Sequence, residues 1–322
     1  MHPNPKDPAR DPWARRAAVS LGAVVLVAVG VFAGATLTSD DPGPPAAPAP
    51  APTPTPTTEP SPTPAADPAR ARVPSSFNEL WFVQGETLSW GATAMGGPMA
   101  RDLADDDPIA QRAALWLRVL LVGPQGPFQE AGDETAIPED TELLYVGRAG
   151  SVLEVDLSSE FESGGGSLSM QLRVAQIVYT GTQFEGVEGV RILIDGNRVD
   201  AIGGEGIVAS EPLTRRDFQN VAPPIVPESP KPGAEISGSV VVSGFANVFE
   251  ANVVIQIRDL SGKILAETFT TATCGSGCWG DFSEEISFEV DAPQEGSVSV
   301  LTYSAEDGSE RDKISIPVIL QP

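Results

Sequence analysis

The run Ser158-Ser159-Glu160-Phe161-Glu162-Ser163, followed by Gly164-Gly165-Gly166 and Ser167, gathers the residues of this chain best suited to chemistry. Backbone amides in a glycine-rich turn ahead of a helix cradle anions, because they lack partners and sit at the positive end of the helix dipole. Glu160 and Glu162 make a phosphate a poor fit there, whereas the hydroxyls of a glycan would find acceptors. Glu160, Phe161, Glu162, Gly164, Gly165 and Ser167 are therefore the first set of candidate binding residues. The competing reading is a solvated loop in which Phe161 plugs a core and Ser167 caps the next helix. A glycosidase needs two carboxylates facing each other across a sugar cleft. Asp156, Glu160 and Glu162 are the nearest set, but so acidic a chain contains such neighbours by chance, and no catalytic residue is expected.

A second candidate set is Phe249 and Glu250 with Trp279, on a rim formed with the Cys274-Gly-Ser-Gly-Cys278 loop. Sandwich core and edge is the favoured role of these residues, and binding on that rim is the alternative. Cys274 and Cys278 are expected to form a local disulfide, with a free or redox pair as the alternative; a metal site would need two further ligands that the chain does not clearly offer. Asp105-Asp106-Asp107 precede Pro108 and an apolar helical period. Asp107 as N-cap with Pro108 in the first turn explains them without a metal, since both suit the unpaired amides there. No metal and no cofactor is expected.

The one histidine, His2, lies ahead of a hydrophobic segment and so across the membrane from the folded part, which removes histidine-based nucleophile systems and histidine-ligated zinc from that part. The formal charge is −24, from 44 acidic and 20 basic side chains. Residues 1–74 hold six of each, so the whole excess falls on residues 75–322. Such a surface repels phosphate backbones, and nucleic-acid binding is not expected.

Residues 17–37 contain no charge and are long enough to cross a bilayer core of roughly 30 Å. Lys6, Arg10, Arg15 and Arg16 precede them and Asp40 and Asp41 follow, which places residues 1–16 in the cytoplasm and the bulk of the chain outside, as a single-pass membrane protein. Cleavage near Ala35, giving a secreted form, is the alternative. Residues 38–74 follow as a linker, and its part from Asp40 to Pro74 holds thirteen prolines and no core-forming residues, so it reads as an extended disordered tether.

The elements that must position the candidate loop are legible by pattern. Residues 80–83 and 87–90 read as paired strands; Ile109, Ala113, Trp116, Leu117 and Leu120 share a helical face that stops at Gly123-Pro124. Strands follow at 143–146 and 152–157, then a helix on which Leu168, Leu172, Ala175 and Tyr179 share a face, with Gly181 as its stop. The strand 190–194 turns at Asp195-Gly196 into 199–202. The expected order is β-β-α-β-β-α-β-β, an α+β domain over residues 75–205 with a sheet covered by two helices. Residues 206–230, rich in proline, read as a stiff hinge. Short strands beginning near Ile236 then suggest an antiparallel β-sandwich over 231–322.

The pieces LWFVQGETL, LLVGP, TAIPEDTELL, VDLSSEF, LSMQLRVAQIVYTGTQF and VRILIDGNRV make residues 78–205 resemble the GerMN domain of sporulation and germination proteins. VVSGFANVFEANV, DLSGKILAE, TATCGSGCWGDFSEEISFEV and SAEDGS make residues 228–320 resemble the immunoglobulin-like domain associated with bacterial spore germination (Gmad), which occurs behind GerMN domains. The resemblance implies an extracytoplasmic binding or assembly module with no catalytic residues to transfer. The chain departs from lipoprotein relatives in lacking a cysteine near the hydrophobic segment. The expected function is non-enzymatic: tandem modules that bind cell-wall polymer or envelope proteins in a sporulation, germination-like or envelope-assembly role. The alternatives are a glycan-acting enzyme and a solute or cation sensor. The sequence leaves the oligomeric state open.

Overall fold

A computed structural model describes residues 77–94, 102–204 and 206–322. The expected membrane segment at 17–37 and the linker at 38–74 lie outside the described residues. Among the described residues, no helix is long and apolar enough to cross a membrane.

The first domain opens with strands β1 (Phe77–Gln84) and β2 (Thr87–Ala94), paired antiparallel around a tight turn. Helix α1 (Pro108–Val122) begins where Asp107 Oδ1 accepts the amides of Ile109 and Ala110, at 2.8 and 3.1 Å. It ends at Gly123, whose φ of 83° favours glycine. A single turn, α2 (Pro127–Glu130), leads to β3 (Leu143–Ala149) and β4 (Val152–Leu157), then to α3 (Ser167–Gly181) and β5 (Gly189–Ile194). The Asp195-Gly196 turn, both residues at positive φ, joins β5 to β6 (Asn197–Arg198). A separate hairpin follows, β7 (Ala201–Ile202) with β8 (Ile207–Val208).

The expected single sheet is divided in three: the β1–β2 ribbon, the four-stranded sheet β3-β4-β5-β6 and the β7–β8 hairpin. Helices α1 and α3 pack on each other, and each touches both β1 and the four-stranded sheet. This explains why every residue of α3 from Leu172 to Gly181 is buried, not one stripe of it. Its polar residues are correspondingly engaged: Gln176 donates to Trp81 O and accepts from the Ala136 amide. Gly181 is there for packing, since a Cβ would lie 2.9 Å from Val190 Cγ2 and 3.3 Å from Leu153 Cδ2, and the helix closes one residue later at Thr182. Leu168, expected on the buried face, is exposed because it precedes the enclosed turns.

The stretch expected as a hinge is largely structured. Leu213 exchanges backbone hydrogen bonds with Val190. Residues 215–221 form a 3-10 turn capped by Thr214 and Asp217. Strand β9 (Ile225–Ser229) then pairs with β11 of the second domain. Proline is tolerated in β9 because that strand lies at a sheet edge.

The second domain continues with β10 (Glu235–Ser237), β11 (Ser239–Ala246), β12 (Asn252–Asp259), β13 (Ile264–Thr271), β14 (Gly280–Ser287), β15 (Gln294–Tyr303) and β16 (Glu310–Gln321). The strands run β13-β12-β15-β16-β10-β11-β14, with β9 on β11. The pairings are antiparallel except for β10 on β16, which is parallel and joins the two halves of the fold. Val242, Phe282 and Ile286 from one half meet Val253, Ile255, Val298, Val300 and Ile316 from the other in one apolar core. The domains share packing: Val226 and Phe245 belong to the core of the first domain, and Trp90 touches both cores.

Candidate functional site

The serine and glycine loop between β4 and α3 is built inward from Phe161, which is fully buried. Arg173, one turn and a half into α3, donates to the carbonyls of Phe161, Ser163, Gly164 and Ala136, so one guanidinium gathers the loop beneath the helix start. Burial pulls its pKa down from the usual arginine value. Gly164 and Gly165 take φ of 62° and 80°, and a Cβ on Gly165 would lie 2.7 Å from Ser169 Oγ. The N-cap is Gly166, not Ser167, and no side chain caps the helix. The carbonyl-binding Arg173 fixes the loop in place of a cap, and Ser167 becomes the first helical residue. The first-turn amides therefore keep no side-chain partner.

Facing this loop is the β7–β8 hairpin, held by a 2.9 Å hydrogen bond from the Gly203 amide to Glu162 Oε1. Between them lies a pocket of about 380 Å³, lined by Glu162, Gly164, Gly165 and Ser167 and completed by Met170, Gln171, Ile202, Gly203, Gly204 and Ile207. Four of the first candidate residues thus meet in one cavity. Phe161 supports it from the core, and Glu160 is exposed outside its lining. The hydrogen bond from Ser158, chiefly, holds the Glu160 carboxyl below the usual value. The hairpin side was missed in the sequence, although the glycines at 203, 204 and 206 were a readable signal of close backbone approach. Asp156, the third member of the acidic set, accepts the Gly196 amide at the β5–β6 turn.

The second candidate set divides. Phe249 is 70% exposed and, with Glu250, lines a groove of about 550 Å³ completed by Thr302, Tyr303, Arg311 and Asp312. Glu250 and Ala251 sit at positive φ, 55° and 57°, a conformation that non-glycine residues hold only when their surroundings enforce it. The disulfide loop does so: Cys274 and Cys278 are bonded, the Ser276 amide donates to Val248 O, and Ser276 Oγ accepts the Glu250 amide. Trp279 lies elsewhere, edge-on to Phe245 with ring centroids 5.4 Å apart. Its place is the junction of the domains, not a rim with Phe249.

The aspartate run is absorbed by structure. Asp105 accepts the amides of Asp107 and Arg148, and Asp107 Oδ2 pairs with Arg148 at 3.3 Å. The hydrogen bond from the Ala110 amide, chiefly, keeps the Asp107 carboxyl below its usual value. Among the described residues no group of three or more His, Cys, Asp and Glu is placed to hold a metal ion. An apolar groove of about 680 Å³ also runs between β1–β2 and α1–α2, walled by Phe82, Trp90, Val119 and Phe128.

Residues 95–200 match the family model described as sporulation and spore germination, and residues 225–309 match the immunoglobulin-like domain of bacterial spore germination. No curated protein matches the sequence. Among solved structures, the chain is similar to the first GerMN domain of the sporulation protein GerM from Bacillus subtilis, at 20% identity over 44% of this chain and 98% of that one, with a TM-score of 0.33. The tandem GerMN domains of the same protein align at 17% identity over 76% of this chain and 60% of that one, TM-score 0.35. A candidate lipoprotein from Clostridium perfringens aligns at 21% identity over 45% of this chain and 91% of that one, TM-score 0.32. Neither family description names a reaction. The chain carries a GerMN-like domain followed by an immunoglobulin-like Gmad domain.

Proposed function

We propose that this chain is a non-enzymatic, membrane-anchored extracytoplasmic protein whose tandem domains bind cell-wall polymer or other envelope proteins in a sporulation, germination-like or envelope-assembly role. The observation that carries the binding reading is the pocket between the Gly164-Gly165 loop and the Gly203 hairpin. It offers glycine backbone, the Ser167 hydroxyl and one carboxylate, with Met170, Ile202 and Ile207 as an apolar floor. Glycan hydroxyls are matched by such neutral donors and a single acceptor, while an anion is opposed by Glu162. Among the described residues Glu162 is the one carboxylate in that lining, and a glycosidase needs two across the scissile bond. The apolar, charge-free residues 17–37 support the membrane anchor.

The test is cosedimentation of the full chain with purified wall sacculi. Glu162→Ala removes a charged acceptor, a change of about 1.5–3 kcal/mol that weakens binding roughly tenfold or more. Gly203→Val fills the pocket. Sedimentation equal to the parent for both variants, or release of soluble sugar by the parent chain, would falsify the reading.

A further inference from the structure

A second cleft, of about 260 Å³, adjoins the glycine-loop pocket. Val208, Leu213, Asp217 and Phe218 line it, and it shares Gln171, Gly206 and Ile207 with the first. The start of α3 and strand β8 thus serve both cavities, and the capped turn at residues 215–221 completes the second.

The second cleft is held in shape by its own bonds. Leu213 exchanges backbone hydrogen bonds with Val190 of β5, so the chain leaving the hairpin is tied to the sheet. Asp217 Oδ2 accepts the Thr214 amide and hydroxyl at 2.7 and 2.8 Å, which fixes the carboxylate and, among the described residues, leaves Oδ1 without a partner. Leu213 and Phe218 are buried and give the cleft an apolar base, while Val208, 72% exposed, stands at its edge. Gln171 is half-buried where the two cavities meet. Its Oε1 accepts from Asn220 Nδ2, and among the described residues its own amide nitrogen donates to nothing, so its N–H groups remain for a ligand.

We propose that the two cavities act as one groove for a linear, uncharged glycan chain, with successive sugars seated in the glycine-loop pocket and, across Gln171, in the Asp217 cleft. This rests on the reading of the first pocket as a glycan site and makes its ligand a chain in place of a single sugar. The sizes favour a chain. A site that encloses a small molecule usually measures ~300–1,000 Å³; the first pocket lies near the bottom of that range and the second below it. Once one sugar is seated, the next in the chain meets its cleft at high effective concentration, so the two add where each alone gives little enclosure. The chemistry repeats on either side of Gln171: Met170 and Ile202, then Leu213 and Phe218, offer an apolar base to the C–H face of a pyranose ring. Glu162, then Asp217, accept from its hydroxyls, and an anionic polymer would meet both carboxylates.

The experiment is calorimetric titration of the solubilised full chain with N-acetylglucosamine and, separately, its β-1,4-linked tetrasaccharide, as neutral stand-ins for a wall glycan. Tetrasaccharide affinity about tenfold or more above that of the single sugar, with most of that gain lost in Val208→Asn, supports the groove. Val208 lines the second cleft and not the first and its side chain is exposed, so the substitution leaves the glycine-loop pocket in place, and its melting temperature checks that it folds. Equal affinity for the two sugars, or a gain that Val208→Asn keeps, overturns the groove and leaves the first pocket as a single-sugar site. Binding of neither sugar overturns the groove together with the glycan reading beneath it.

Discussion

Arg215 Nη2 meets Glu79 Oε2 at 2.6 Å, joining residues 136 positions apart in a site where both side chains are 4% exposed. Trp81 Nε1 donates to the same carboxylate oxygen, and Gln183 exchanges two hydrogen bonds with the Glu79 backbone. The strand that opens the domain is thereby locked to the segment that leaves it. Removing one partner strands a buried charge, so Glu79→Gln or Arg215→Met should each cost about 3–5 kcal/mol of unfolding free energy in urea titrations. The double replacement Glu79→Met/Arg215→Met should cost less than the sum of the two. Additive losses would show that the pair is not coupled.

Acid should find the same pair. Burial alone would raise the Glu79 carboxyl, but the charges of Arg215 and Lys231 and the hydrogen bond from Trp81 leave it below its ordinary value. A depressed folded pKa gives stability that is present above the unfolded value near 4.5 and lost as pH falls through the folded one. Melting temperature followed from pH 7 to 3 should therefore decline at higher pH in Arg215→Met than in the parent chain. Superimposable profiles would count against this.

Lys231 should act in the same direction, at alkaline pH. Its folded pKa, about 8, lies below the unfolded 10.5, so the unfolded chain binds more protons between those values and stability rises with pH across that window. Thermal scans at pH 7.5 and 9.5 should show a gain in the parent that Lys231→Met lacks. Tyr179, Tyr145 and Tyr303 all titrate above their usual value of 10, so they stay protonated through this range.

The glycine loop makes a local prediction. Gly165 has φ 80° and Ser169 Oγ 2.7 Å from a would-be Cβ, so Gly165→Ala should cost about 1–3 kcal/mol through backbone strain. Gly166, with nothing within 4 Å of its Cβ position and an extended backbone, should accept alanine at far smaller cost. Urea denaturation of the two variants compares them directly.

What could be read from the chain follows the range of the forces involved. Asp107-Pro108 and Asp195-Gly196 act on backbone a few residues away, and their cap and turn formed as the pattern implied. Ser167 was displaced as cap because Arg173, a residue with no local signature, organises the loop carbonyls from within the helix. Strand β9 was hidden by its prolines, since its partner β11 begins ten residues after β9 ends and nothing local marks the pairing. The hairpin half of the pocket and the Glu79–Arg215 pair are tertiary meetings that no periodicity encodes. For Trp279 the pattern favoured sandwich core or edge over a rim beside the disulfide loop, and could not name Phe245 as its neighbour in space.

That aromatic contact lies where the two domains meet. Arg216 stacks over Phe245 at 4.6 Å while pairing with Glu228 and Asp281, and Trp279 closes the cluster. Trp279→Ala should lower stability by about 3 kcal/mol or somewhat less, because the ring is only partly buried. It should also raise proteolytic cleavage within residues 222–234, leaving both domains folded. Cleavage unchanged from the parent would mean that β9 pairing alone fixes the junction.

The Cys274–Cys278 bond closes a very short loop, for which chain entropy gives only about 2 kcal/mol of stabilisation. Its larger effect should be local. Gly275 packs so tightly on Ala251 that a Cβ would lie 2.5 Å from its backbone, and Ser276 holds Glu250 in its left-handed conformation. Reduction, or the double replacement of both cysteines by serine, should therefore release residues 248–252 and disorder one wall of the groove beside Tyr303. Hydrogen exchange should quicken at the amides of Glu250 and Ala251 and stay unchanged in β4 and β5. Equal protection at Glu250 with and without the bond would assign the strained turn to its own packing.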